Sequence, residues 1–416
     1  MIERMLPYTV LPMTCLLLVT TGMSQDADQA GTVVERDGRS FTVRKDGLPP
    51  STKDGFRALL PAEGLSGWVV TGGGATVERN GDVLHGHGNS RRNTFLMSPG
   101  SHGDFVLEGE VMIEVGGNSG WQVRSRQDVP GDRGSGIRGY QFEVDSSPRS
   151  WSGGLYDELR RGWIHPLEGD DDARSAFRNG TWNHYRIECL GPHLRSWVNG
   201  VPCADVLDLA DLEGHIAFQV HSGGCDVRWR GLRLIELGTS DFVPVGPWRG
   251  IGAPGGFVLE PDGSLRSNTG PGTTPVRAEL TGRETTFRMS YELEGSMTIR
   301  LSDATGERPV LIRVEEGPKG PSTTLSGRAG ETIDHPVIAP GAGTGTERED
   351  GTRELVIDLE GPRLVVLIDG TIRNRVMLDG PVRPTGLEIE AGPDAKGVVR
   401  ISDPRVLRRL EPVLRN

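Results

Sequence analysis

Two carboxylates, Glu143 and Asp145, stand two residues apart in the segment GYQFEVD (139–145). On a β-strand such a pair projects from one face, roughly 7 Å apart. In a partly desolvated groove their mutual repulsion lifts at least one pKa, which suits acid/base work. The bland alternative is a pair of solvated acids on an exposed strand. Two further strand-like segments, GGNSGWQVRSR (116–126) and FQVHSGG (218–224), alternate in the same way. Together they place Gln122, Arg124, Gln141, Glu143, Asp145, Gln219 and His221 on one side of a sheet. Arg124 is either an electrostatic catalyst or a salt-bridge partner of the two acids. His221 is either a proton shuttle, a metal ligand with those acids, or only a hydrogen-bonding residue. Asn118, Gln122, Gln141 and Gln219 suit the recognition of hydroxyl groups, although Asn118 could simply shape its glycine turn. Tyr156, Trp163 and Trp151 lie in a Gly- and charge-rich stretch, where they either stack on a flat ligand or pack a core.

The elements that must carry these residues are strands. The 416-residue chain holds 60 glycines and 28 prolines without a collagen period. That composition favours turns and short strands, and no window shows convincing helical periodicity. The reading is all-β, with antiparallel sheets packed as sandwiches. Asn199-Gly200 and Asn80-Gly81 are hairpin signals. The net charge is −11 and no basic stripe interleaved with aromatics appears, so nucleic acid is not an expected partner. The apolar run 5–19 reads as the core of a signal peptide over residues 1–24, too short for a comfortable membrane span. Export is therefore expected, to the periplasm or beyond the cell, with no stable span after cleavage. Cleavage would leave Cys189, Cys203 and Cys225, either as one disulfide plus a free thiol or as three buried thiols.

Residues 25–54 read as a linker or extended arm, and 55–238 as the first sandwich. The prolines at 244, 247 and 254 mark a linker over 239–256. The rhythm then repeats over 257–411: FRMSYELEGSMTIRLSD (287–303) echoes the segment from 104 onward, which implies a second, degenerate sandwich. Its polar face is not kept. Arg300 matches Arg124, but EGSMT stands where Asn118–Gln122 would be, and no histidine matches His221. The Gly-, Thr- and Pro-rich stretch 316–352 reads as a long loop.

The ordered motifs of the first module resemble the 3-keto-disaccharide hydrolase domain family. They are the turn Gly117-Asn118-Ser119-Gly120 leading to Arg124-Ser125, and the strand with Gly139, Tyr140, Gln141, Glu143 and Asp145. The turn Gly153-Gly154-Leu155-Tyr156-Asp157, Trp182-Asn183, Asn199-Gly200 and Gln219-Val220-His221 follow in order. The likeness covers about residues 55–238. It implies a concanavalin-like lectin/glucanase fold, a jelly roll, and action on a glycoside or oligosaccharide oxidised at C3. A C3 ketone acidifies the C2 proton; a base removes it, the C1 substituent leaves by β-elimination, and water adds. The resemblance implies Glu143 and Asp145 as the acid/base carboxylates, Arg124 as the electrostatic residue and His221 as their helper. Asn118, Gln122, Gln141, Tyr156, Asp157, Trp163 and Gln219 would then contact the sugar. The carboxylate spacing also overlaps that of inverting glycosidases, so direct hydrolysis stays open. No organic cofactor is implied; a divalent cation is the one cofactor left open.

Two lesser signals complete the reading. His85 and His87 share a strand face, but no third metal ligand is identifiable in sequence. Asp170-Asp171-Asp172 reads as a solvated acidic loop. The competing functions are a non-catalytic carbohydrate-binding protein and an envelope adhesion module, since such sandwiches serve both.

Overall fold

The computed structural model describes residues 32–36, 39–43, 55–127, 136–253, 256–267, 274–281, 286–328, 330–333, 337–338, 352–393 and 399–410. The expected signal peptide lies outside these residues. Within the expected arm, β1 (Thr32–Arg36) and β2 (Arg39–Val43) pair as an antiparallel hairpin. The all-β expectation holds: among the described residues the helix is one five-residue turn, Asp171–Ser175. The acidic triplet opens that helix rather than forming a loop. Asp170 caps it by accepting from the Ala173 amide, and Asp171 and Asp172 occupy its first turn, where the helix dipole favours negative charge. No helix among the described residues is long and apolar enough to cross a membrane.

The first module is built from β3 (Arg57–Ala58), β4 (Val69–Gly72), β5 (Thr76–Asn80), β6 (Val83–Ser90) and β7 (Thr94–Met97). There follow β8 (Asp104–Ile113), β9 (Asn118–Gln127), β10 (Ile137–Asp145), β11 (Leu155–Glu158) and β12 (Gly162–His165). The last are β13 (Asn183–Leu190), β14 (His193–Val198), β15 (Val201–Leu207), β16 (His215–Val220) and β17 (Gly223–Pro244). The front sheet runs β12-β11-β10-β9-β16-β7-β4. The back sheet runs β5-β6-β17-β8-β13-β14-β15, every pair antiparallel. Alternate front-sheet residues (Trp121, Val123, Phe142, Val144, Phe218, Val220) meet Phe105, Leu107, Tyr185, Ile187 and Trp229 of the back sheet in one core. Trp121 stacks on Tyr185 at 5.5 Å and meets Phe218 edge-on at 5.3 Å. Burial of side chains this large contributes about 1.5–3 kcal/mol each.

Period two then sends Asn118, Gly120, Gln122, Gln141, Glu143, Asp145, Ala217 and Gln219 to the other face of the front sheet. That face is covered because the β9–β10 hairpin folds back over it. Arg124 has φ 46° and Gly139 φ 137°, and the register slips between Arg138 and Tyr140. Such a bulge bends both strands. Past the bend, Gln127 Nε2 donates to Thr71 Oγ1 at 3.3 Å, although β16 and β7 separate β9 from β4 within the sheet. Ile137, also past the bend, packs with Phe95, Met97 and Ala217.

The second module has its own core, which includes Phe257, Phe287, Tyr291, Ile299, Ile312, Ile357, Val366 and Ile389. One of its sheets orders Trp248–Arg249, Val276–Glu279, Gly386–Ala391, Ser296–Ser302, Val310–Gly317 and Gly320–Gly327. Two expectations are corrected here. The linker foreseen over 239–256 begins as strand: Thr239–Pro244 of β17 pairs with Arg405–Leu410. The long loop foreseen over 316–352 contains the strand Gly320–Gly327, paired with Val310–Gly317. It lies at the end of its sheet, where Pro321 costs no ladder bond. The modules also touch through Leu207 with Val356, Val365 and Leu367, and through an Arg363–Asp205 ion pair at 2.9 Å. Cys189, Cys203 and Cys225 are all buried, and among the described residues none forms a disulfide. Burial pushes the Cys189 and Cys203 thiols up to about 12, so both stay protonated and inert at neutral pH.

Candidate functional site

Glu143 lies at the centre of the covered face. Its backbone is pinned on both sides: its amide donates to the Gly154 carbonyl at 2.9 Å, and its carbonyl accepts from Gly153 N at 2.8 Å and Tyr185 OH at 2.9 Å. Its carboxylate accepts from Asn118 Nδ2 on one oxygen and from Gln141 Nε2 at 3.0 Å on the other. Gln141 accepts in turn from Gln122 Nε2 at 2.9 Å, and Gln122 from Ser125 Oγ at 2.6 Å. The chain of amides lies flat because Gly120 sits between Glu143 and Gln219 in register. A Cβ at Gly120 would stand 2.3 Å from the Gln141 side-chain carbon. Gln219 shares this face, and its buried Oε1 has no hydrogen-bond partner among the described residues. A buried acceptor without a donor is costly, and a ligand hydroxyl would satisfy it.

Burial is the strongest influence on Glu143. It outweighs the donors Asn118 and Gln141 and the nearby charge of Arg149, and lifts the carboxyl to about 7. A second glutamate behaves alike. Glu158 sits two residues beyond Tyr156 on β11; burial lifts it to about 7 against a hydrogen bond from the Asn93 side chain. Tyr156 feels both charges. The face thus carries two carboxyls that exchange protons near neutrality.

The cation of the site is Arg149. Its Nη2 donates to Glu143 Oε1 at 3.2 Å and its Nε to Asp145 Oδ2 at 2.8 Å. Its guanidinium also lies over the rings of Trp151 and Trp163, at 4.8 and 4.9 Å from their centroids. Trp163 meets Trp151 and Tyr156 edge-on at 4.8 and 5.2 Å. The three aromatic residues are only partly buried, so they form a wall at the edge of the polar face. Asp145 is buried and fully engaged: it also accepts from Ser147 N at 3.0 Å and Trp151 N at 3.4 Å. It holds the 146–152 turn and aims Arg149.

Several expected site residues stand elsewhere. Arg124 is a correction: its left-handed backbone at the bulge turns the side chain away from Glu143. The guanidinium is fully buried, donating to the carbonyls of Gly103 at 3.0 Å and Gly191 at 2.6 Å and to Asp104 Oδ1 at 3.1 Å. Asp157 is a second correction. It alternates with Tyr156 and so faces the opposite side, where Arg160 and Arg161 pair with it at 2.7 and 2.6 Å. His221 follows the last β9–β16 pair, Val220–Ser119. It is partly buried, its Nδ1 donates to the Ser222 carbonyl at 2.8 Å, and among the described residues it makes no ion pair with either acid. Glu143, Asp145, Asn118, Gln122, Gln141, Gln219, Tyr156 and Trp163 do share the face. Arg149 and Glu158 were not foreseen. The available signal for Arg149 was its spacing, four residues after Asp145 within a Ser-Pro turn.

Residues 55–235 match the model of the 3-keto-alpha-glucoside-1,2-lyase-like domain. No curated protein sequence matches the chain significantly. Among solved structures, a Parabacteroides distasonis protein described provisionally as a glycosyl hydrolase is 16% identical, with 44% of this chain and 99% of that chain covered and a TM-score of 0.32. The carbohydrate binding module CBM66 from Bacillus subtilis is 16% identical, with 41% and 96% covered and a TM-score of 0.30. The exoplasmic/lumenal domain of VIP36 in its Ca2+/Man3GlcNAc-bound form is 14% identical, with 43% and 88% covered and a TM-score of 0.32.

Proposed function

We propose, from the premise that the first module is a 3-keto-alpha-glucoside-1,2-lyase-like domain, that the protein is exported and cleaves 3-keto-glycosides by elimination followed by hydration. The observation that carries this reading is Glu143: a buried carboxyl at about 7 inside a row of side-chain amides. A base with that pKa is well matched to removing the moderately acidic C2 proton of a 3-keto sugar at neutral pH. The C2–H electrons form the C1=C2 bond, and the C1–O bond breaks toward the aglycone. Negative charge gathers on the C3 oxygen during the step. Arg149 is the cation on hand to stabilise it, held in place by Asp145 and the two indoles. Glu158, protonated at neutral pH about as often as not, suits delivery of a proton to the departing oxygen. Water then adds at C1 and a proton returns to C2. The aromatic wall of Tyr156, Trp151 and Trp163 would bind a pyranose face.

The buried, unpartnered Gln219 oxygen favours sugar binding as such and would serve a lectin equally well. The experiment that separates the two is incubation of a 3-keto-disaccharide in D2O. Elimination releases free sugar and leaves deuterium at C2 of the keto product. Release without deuterium would point to direct hydrolysis, and binding without release to a lectin. Release undiminished in Glu143→Gln would remove Glu143 from the chemistry.

A further inference from the structure

The outer face of the back sheet carries a cluster that the sugar chemistry leaves unused. Glu78 stands opposite His85 across β5 and β6, and His87 stands opposite Asp226 across β6 and β17. The potential ligand atoms of Glu78, His85 and His87 all lie within 4.8 Å of one another. Glu78 Oε1 is 3.7 Å from both His85 Nδ1 and His87 Nε2, and the two rings are 4.4 Å apart. Ligand atoms around a tetrahedral zinc ion, with bonds of about 2.0–2.1 Å, sit about 3.3 Å from each other. Closing this cluster onto an ion therefore needs the two Glu78–imidazole separations to shorten by about 0.4 Å and the imidazole nitrogens to approach by at most about 1.5 Å, within reach of side-chain rotation at partly exposed residues.

We propose that Glu78, His85 and His87 bind one transition-metal ion of the zinc type, with Asp226 orienting His85. The tautomer supports it. His85 Nε2 lies 3.1 Å from Asp226 Oδ1, which can only accept, so the proton sits on Nε2 and the Nδ1 lone pair faces Glu78. A carboxylate behind a metal-facing imidazole is the usual outer support of such sites. Asp226 is itself held by Arg228 at 2.9 Å, which also engages that neighbouring guanidinium. Two imidazoles and one carboxylate select zinc, copper or nickel over magnesium or calcium. The side chains of His87 and Glu78 are 39% and 49% exposed, so an ion and a completing water can enter from solvent.

The test uses the full chain, tag removed and stripped of metal, titrated with ZnCl2 and separately with MgCl2 by calorimetry and equilibrium dialysis. One zinc per chain and no magnesium is the expected result. Zinc binding should vanish in a His85→Ala/His87→Ala double variant and weaken about 10–100-fold in Asp226→Asn. Zinc should also raise the melting temperature of the wild type but not of the double variant. Because the two histidines are partly exposed, the metal-free double variant should keep the wild-type circular dichroism. Equal zinc binding by the wild type and the folded double variant, or none by either, overturns the site. Unchanged affinity in Asp226→Asn overturns the role given to Asp226.

Discussion

The front sheet of the first module and the sheet of the second that contains Ser296–Ser302 both alternate polar with apolar residues, but they treat the polar half differently. In the second module Arg300 and Arg277 share Glu388 at 3.7 and 3.0 Å, with the arginine side chains 43% and 61% exposed. That is a solvated charge ladder, worth little to stability. In the first module Gln122, Gln141, Glu143 and Gln219 are each at most 4% exposed. Two covers make the difference: the bent β9–β10 hairpin, which carries Gln127 across the sheet to Thr71, and the 146–152 turn, whose Arg149 closes on Glu143 and Asp145. Buried polar groups must find partners, and here they form a connected amide–carboxylate row. What separates a site from a surface in this chain is the cover over the strands, more than the residue types on them.

The contrast is broken most severely by removing the same group from each face. Glu143→Gln should lower the rate of keto-glycoside cleavage by about 10²–10⁴-fold, the range set by loss of a general base. Glu388→Gln, on the open ladder, should leave it unchanged. Free-sugar release measured for both variants decides the point, and equal rates would make burial irrelevant.

A second comparison sets two arginines of the first module against each other. Arg124→Ala removes the cation paired with the buried Asp104 carboxylate and a donor from each of three carbonyls, and should cost about 3–5 kcal/mol in urea unfolding. Arg149 has a side chain 38% exposed, and Arg149→Ala should cost about 1 kcal/mol or less while abolishing turnover. The reverse pattern would restore Arg124 to the site.

These two arginines also show how far the sequence could be read. The strand alternation placed Glu143, Gln141, Gln122 and Gln219 on one face because period two is a local property of the chain. Arg124 broke the pattern because one residue with positive φ reverses the alternation, and no residue type at that position announces it. Asp157 was misplaced for a related reason: the sequence motif joined it to Tyr156, yet neighbouring residues on a strand face opposite ways. Arg149 reaches the acids only through a turn whose path depends on Asp145 accepting from Ser147 and Trp151. Glu158 gains its character chiefly from burial, with the charge of Asp157 adding to it, and burial is a property of the assembled sheet, not of the local sequence. The all-β architecture and the second core were legible from apolar alternation. The continuity of β17 into the second module was not, since Pro244 and Pro247 suggested a break where the strand had six residues left to run.

If burial distinguishes the faces, protons should record it. An unfolded glutamate releases its proton near 4.5, whereas Glu143 holds it to about 7. Between those values the folded chain binds more protons than the unfolded chain, so stability falls as pH rises. Below about 4.5 the cost is absent; above about 7 it is complete, on the order of 3 kcal/mol at 1.36 kcal/mol per unit. Urea unfolding at pH 4.5 and pH 8 should show a smaller drop in Glu143→Gln than in the wild type. Catalysis has the opposite sign: the acid limb of kcat/KM should rise through about pH 7 as the base ionises. A limb near 4.5 would mean that Glu143 is solvated in the working enzyme.

The smallest effect tests the cover from beneath. Gly120→Ala places a methyl group 2.3 Å from the Gln141 side-chain carbon, with ordinary backbone geometry at that residue. The amide must swing away from Glu143, and overpacking of this kind costs about 1–3 kcal/mol. Glu143 then loses a hydrogen bond that favours its ionised form. Its pKa should climb, so the acid limb of kcat/KM should move to higher pH while the maximal rate above it is largely kept. Thr298→Ala, on the open ladder of the second module, should alter stability by no more than about 0.5 kcal/mol, as surface changes do. A Gly120→Ala limb that stays in place would show that Gln141 does not tune Glu143, leaving Asn118 and Arg149 as the groups that do.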